Sequence, residues 1–287
     1  MLATVAPTLQ AIDLGLLIAG ALVAAGALVA LARHRRWRNP LAGVDLPQSG
    51  PGILSLGAVV LAFLSLHYLL AFLVYAGKPL PAMSTPGSAA WHRAATAEGA
   101  ASLVLAALMA LLLTVHRDRS QRRRTGAVRS VLAALLTLLA LLPLTALQAG
   151  MGRIIWRWFH PDEPPPIHIV LQALTQSEWG VWGTVQLTVG AILVAPLTEE
   201  LFFRGLVLGA IRRHLQHTWL AVAGSAVAFG FVHSQPQDVL PLISMGVVLG
   251  YLRVRCGALW PCILVHMLFN ARTMTVTILA PELLTEP

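Results

Sequence analysis

The chain has 287 residues, 57% of them apolar and only 11% charged, with a formal net charge of +8. So few charges exclude an ordinary soluble domain, in which about 25% of residues are charged. The positive balance does not describe a nucleic-acid surface either, because the basic residues fall in short clusters between apolar runs, the pattern of loops flanking membrane helices.

Apolar runs of about 18 residues or more predict membrane-spanning helices. The chain reads as an all-α, polytopic membrane bundle of about eight transmembrane helices, the first four over residues 11–32, 52–77, 99–115 and 130–151. The first helix reads as retained rather than as a cleaved signal peptide, since basic residues follow it instead of preceding it. His67, in the second, reads as a hydrogen bonder between helices. The loop Pro79–Glu98 is small and polar and carries no functional signal. These helices make an N-terminal unit, residues 1–152. Residues 153–180 then read as an extramembrane loop, stiffened by Pro164, Pro165 and Pro166, whose apolar stretch Ile167–Leu174 suits the membrane interface.

The last four helices, over 181–211, 217–233, 239–254 and 259–280, make a C-terminal bundle, residues 181–287. Pro196 is expected to kink the first of these. Gly224, Gly230, Gly246 and Gly250 allow close helix approach. Cys256 and Cys262 are the only cysteines and read as plain core thiols.

Arginine clusters set the orientation. Arg33, Arg35, Arg36 and Arg38 share one side with Arg117, Arg119, Arg122, Arg123, Arg124 and Arg129, and with Arg212, Arg213, Arg253 and Arg255. The other side holds only Lys78, Arg93, Arg153 and Arg157, so the positive-inside rule puts both termini outside. The near-exclusive use of Arg over Lys, with abundant Ala and Leu, hints at a GC-rich bacterial genome and hence a bacterial inner membrane.

Chemistry concentrates in the run Thr198-Glu199-Glu200-Leu201-Phe202-Phe203-Arg204-Gly205. An ionised side chain at mid-membrane costs roughly 2.5–3.5 kcal/mol on insertion scales, so three such groups in six positions imply a use. A structural ion pair pinning two helices is the plain reading. Glu200 and Arg204, at i and i+4, can pair on one helix face, while Glu199 is turned about 100° away. Two further i, i+4 patterns follow, Phe229-x-x-x-His233 and His266-x-x-x-Asn270.

Their depths agree. At about 1.5 Å per residue, Glu199 lies about 21 Å from the arginine-rich face, His233 about 24 Å, Asn270 about 17 Å and His266 about 11 Å. Polar groups from three helices thus fall in one slab of the membrane.

These three motifs, in this order, resemble those of the CAAX-protease and bacteriocin-processing (CPBP, or Abi) family of intramembrane endopeptidases, over roughly residues 181–275. The resemblance implies a glutamic protease that needs no cofactor. It makes Glu199 the general base, with His233 helping to hold and activate water. His266 and Asn270 then supply the oxyanion hole, and Arg204 pairs with Glu200 to fix the helix. The implied substrate is a membrane-associated peptide or protein, met within the lipid bilayer, with no role for nucleic acid. A bacterial source argues against prenylated substrates. Elementary chemistry agrees with these roles: a carboxylate taken out of water is a stronger base, and an imidazole or amide N–H can stabilise a developing oxyanion.

Rival readings remain open at this level. Two histidines and a glutamate could hold zinc, though the chain lacks the His-Glu-x-x-His run of a zincin. Buried Glu, His and Arg also build transporters and proton pathways, although no internal repeat is visible. A catalytically silent scaffold is the third alternative. The depths place Glu199 and His233 nearer the outer face, whereas prenyl-protein processing in the family is cytosolic, so the side of access stays undecided.

Overall fold

A computed structural model describes residues 5–33, 52–75, 89–115, 126–165, 180–233 and 235–280. Among these residues there are eight helices and no strand. They are α1 (Val5–Arg33), α2 (Ile53–Tyr75), α3 (Ala89–Val115), α4 (Ala127–Phe159), α5 (Gly180–Leu215), α6 (Thr218–Phe231), α7 (Val239–Cys256) and α8 (Trp260–Leu279). Counted over the described residues alone, six helices are long and apolar enough to cross a bilayer. Together they make a multi-pass integral membrane protein. Side chains such as Leu22, Leu54, Leu111, Ile154 and Val181 stand exposed on the outside of the bundle, where lipid tails, not water, would cover them.

Several ends differ from expectation; α1, for one, begins at Val5 rather than near residue 11. α3 begins at Ala89, ten residues before the first strongly apolar stretch, so the second half of the presumed loop Pro79–Glu98 is helical. Alanine-rich sequence carries that extension, which hydropathy alone passes over. α4 runs on to Phe159 through Gly152-Arg153-Ile154-Ile155-Trp156-Arg157. Its 33 residues rise about 50 Å, well over a hydrocarbon core of about 30 Å. The loop after it therefore starts near His160 rather than at Gly152. α6 is the reverse case. It has 14 residues, a rise of about 21 Å, and stops before His233. The stretch Ile167–Leu174, Pro166, the side chain of His67 and the arginines at 35–38 and 117–124 lie outside the described residues.

α5 is unbroken through Pro196. The helix changes pitch on both sides of the proline. Residues Gly190–Val194 and Leu201–Val207 form π-helical turns. In each, a backbone N–H reaches back five residues, Ala195 to the Gly190 carbonyl and Leu208 to the Phe203 carbonyl. π turns inside α-helices are rare and recur at functional sites.

The core of the C-terminal half is built by α4, α7 and α8, where Ala134, Leu141, Met245, Leu249, Cys262 and Val265 are all buried. Neither cysteine is in a disulfide and both are buried, as read from the sequence. α6 and α7 touch backbone to backbone at two glycines. A Cβ at Gly246 would meet the Ala226 Cα at 2.7 Å, and one at Gly230 would meet the Ile243 side chain at 2.5 Å and the Val239 carbonyl oxygen at 3.1 Å. Such contact needs glycine for space, not for conformational freedom. α1 is held to α8 by a bidentate ion pair in which Arg272 Nε and Nη2 donate to the two Asp13 oxygens at 2.6 and 2.5 Å.

Asp13→Ala is expected to lower stability by about 1–3 kcal/mol by leaving Arg272 without its acceptor. Adding Arg272→Met should recover most of that loss. Thermal unfolding in detergent of the wild type, the single and the double variant checks it; equal losses in single and double variants would contradict it.

Candidate active site

The three motifs meet at one place. α5 brings Glu199, Glu200 and Arg204, the end of α6 brings Phe229 and His233, and α8 brings His266 and Asn270. The innermost layer is a buried ionic cluster. Arg204 Nη1 donates to Glu200 Oε1 at 2.7 Å, with side chains 1% and 0% exposed. The i, i+4 spacing on α5 makes this pair, as expected from the sequence. His266 Nδ1 lies 2.9 Å from the same Glu200 oxygen. A carboxylate only accepts, so Nδ1 carries the hydrogen and donates it.

Aromatic rings complete the wall. The Arg204 guanidinium carbon sits 4.4 Å from the centre of the Phe229 ring, a cation–π contact in a site away from water. Phe229 is fully buried and also meets the rings of Phe203, His233 and His266 edge-on, with centroids 5.2, 4.8 and 5.9 Å away. The phenylalanine of the Phe-x-x-x-His motif is therefore the surface on which the guanidinium and both imidazoles rest. Ser225 was not singled out by any motif. Its hydroxyl donates to the Phe203 carbonyl at 2.8 Å and braces the second π turn of α5 from α6.

The outer layer faces an opening. The Glu199 side chain is 27% exposed and that of His233 20%. Glu199 Oε2 stands 3.9 Å from His233 Nε2 and 3.7 Å from His266 Nε2. These separations exceed a direct hydrogen bond. His233 Nδ1 lies 2.8 Å from the Phe229 carbonyl. A carbonyl cannot donate, so the hydrogen is on Nδ1, and in the neutral ring Nε2 presents a lone pair towards Glu199.

Asn270 bonds back to α5. Its Nδ2 donates to the backbone carbonyl of Ala191, in the first π turn of α5, at 2.8 Å. Among the described residues, no three of His, Cys, Asp and Glu group together as a metal site. In sum, the structure gathers Glu199, Glu200, Arg204, His233 and His266 around one point, and ties Asn270 to the helix that carries the glutamates.

The fold and site define a class: a helical, multi-pass membrane protein with a buried carboxylate–imidazole centre that opens on one side. Comparison with known proteins narrows it. Residues 181–272 match the Rce1-like family, described as type II CAAX prenyl endopeptidase Rce1-like. Among curated proteins, an uncharacterized 24.3 kDa protein of Escherichia coli is 35% identical over 79 residues, 26% of this chain and 36% of that one. "Putative membrane peptidase YdiL" of Bacillus subtilis (strain 168) is 30% identical over 78 residues, 27% of this chain and 32% of that one. The matched region thus spans about a third of the length of these relatives. No solved structure matches the chain. Over residues 181–272 the resemblance to the CAAX-protease family drawn from the motifs is borne out.

Arg204→Met should destabilise the protein by about 3–5 kcal/mol, because it strands the Glu200 carboxylate in a dry site. Glu200→Gln/Arg204→Met should be more stable than Arg204→Met alone. Thermal melts of the purified variants decide it, and the opposite order would contradict the paired reading.

Proposed function

We propose that this protein is an intramembrane endopeptidase that cleaves a membrane-associated peptide or protein by glutamate-activated water. The observation that carries the reading is the division of labour between adjacent carboxylates. Glu200 is neutralised by Arg204 and engaged by His266, whereas Glu199 is partly open and faces two imidazole nitrogens.

A water placed about 2.8 Å from both Glu199 Oε2 and His233 Nε2 fits their separation. It would donate one hydrogen to each acceptor. Its oxygen lone pairs would then be left to face a substrate carbonyl. Glu199 takes the proton as the water attacks. Collapse of the tetrahedral adduct needs a proton on the leaving amine, and the protonated Glu199 can return it.

His266 supports the oxyanion in one protonation state. With Nδ1–H bound to Glu200, Nε2 can donate only if the ring carries both hydrogens. Losing one oxyanion donor typically costs about 10²–10³ in rate.

The reading involves no metal, and we expect activity to survive chelator treatment. The substrate meets the site from within or beside the bilayer, and a bacterial inner membrane is the setting the composition favours.

Glu199→Gln should reduce turnover of a membrane-anchored peptide by about 10³-fold or more, and His233→Ala by about 10²-fold or more. Both variants should keep the wild-type melting temperature within a few degrees, since neither group belongs to the buried ion pair. Cleavage assays in proteoliposomes with chelator present check this. Near-normal cleavage by Glu199→Gln refutes the mechanism, and loss of wild-type cleavage on metal removal favours metal chemistry.

A further inference from the structure

We infer that Asn270 is a positioning residue that acts through Pro196, by supplying the hydrogen bond the proline takes away and thereby holding the π turn that aims Glu199. This deepens the proposed function and rests on it for the activity readout only.

The argument begins with one carbonyl. In a helix, the Ala191 oxygen has two candidate donors, the N–H groups four and five residues on. The N–H of Ala195 is taken by the Gly190 carbonyl. The residue five on is Pro196, which has no N–H. Both donors are therefore removed, one by the π register and one by the proline. Asn270 Nδ2 fills the gap from α8 at 2.8 Å.

An unpaired backbone carbonyl inside a membrane protein costs several kcal/mol. A proline with a π turn before it would be an unstable combination on α5 alone. The amide from α8 makes it tolerable, and in doing so links the helix of the glutamates to the helix of His266.

The consequence for the site is angular. A π turn inserts one extra residue into the helical repeat. Every side chain beyond it is thereby turned by about 100° relative to an uninterrupted α-helix. Glu199 lies beyond this turn, after Pro196. If the turn relaxed to α geometry, Glu199 would swing away from His233 and His266. The Thr198 hydroxyl, bonded to the Val194 carbonyl at 2.8 Å, adds a local brace but leaves Ala191 unserved.

The test exploits the proline. In Pro196→Ala, residue 196 regains an N–H and can serve Ala191 itself, so Asn270 becomes dispensable for this role. Four proteins are compared: wild type, Asn270→Ala, Pro196→Ala and the double variant, with Asn270→Leu as a second series that keeps the side-chain volume. Hydrogen exchange of the segment 190–195, read by mass spectrometry in detergent micelles, needs no substrate. Asn270→Ala should speed exchange there by about tenfold in the Pro196 background and by no more than about twofold in the Pro196→Ala background. Glu199-dependent cleavage should follow the same pattern. Asn270→Ala should lower kcat by at least about tenfold with KM little changed when Pro196 is present, and by less than about threefold when it is absent.

Equal losses in both backgrounds would place Asn270 at the reacting atoms alone and overturn the inference. No cleavage by the wild type would instead defeat the hydrolase reading, while the exchange series would still decide whether Asn270 and Pro196 act as a unit.

Discussion

The shared oxygen of Glu200 is the point on which the site is organised. It accepts from Arg204 at 2.7 Å and from His266 at 2.9 Å, with the carboxylate fully buried. Removed from water, a lone carboxylate would be too costly to keep ionised. With a guanidinium on one side and an imidazole on the other, its charge is matched and its geometry set. The imidazole is oriented by the same contact, because giving Nδ1–H to Glu200 turns Nε2 towards Glu199. The inner carboxylate thus orders the groups around it, and its neighbour in sequence is left uncommitted.

Helix α5 makes two adjacent glutamates so unlike each other. Their side chains are about 100° apart around the helix, so one faces the core and the other the opening. The π turns before and after them set where those directions point. Each turn is held from another helix, the first by Asn270 of α8 and the second by Ser225 of α6. Contact at Gly230 and Gly246 keeps α6 tight on α7, which fixes the end of α6 from which His233 projects. On the far side of α8, the Asp13–Arg272 pair joins α1 to the helix of His266. The active-site geometry is therefore a property of helix packing across the chain, not of three isolated motifs.

Much of this was legible in residue spacing. The i, i+4 separation of Glu200 and Arg204 was enough to pair them. The agreement in depth of Glu199 and His233 was enough to bring those two together, whereas the depth of about 11 Å expected for His266 set it too near the arginine-rich face for a ring that stands 3.7 Å from Glu199. What escaped had physical causes. Hydropathy marks apolar stretches and not helices, so the polar starts and ends of α3 and α4 were cut short. Pro196 signals an interrupted hydrogen-bond ladder, but the residue type does not tell that π turns flank it or that Asn270 serves the Ala191 carbonyl. Asp13 and Arg272 are 259 positions apart, beyond any local pattern. His233 was placed within α6, whereas the helix ends at Phe231; stepping off the helix is what lets its ring turn back to the Phe229 carbonyl.

The central claim is that Glu199 and His233 hold a single water between them, ready to attack. A high-resolution cryo-EM map of the protein in lipid nanodiscs addresses it directly. The account predicts an ordered water within hydrogen-bonding distance of both the Glu199 carboxylate and His233 Nε2. A metal ion at that point, or a dry contact closed by packed side chains, would contradict it.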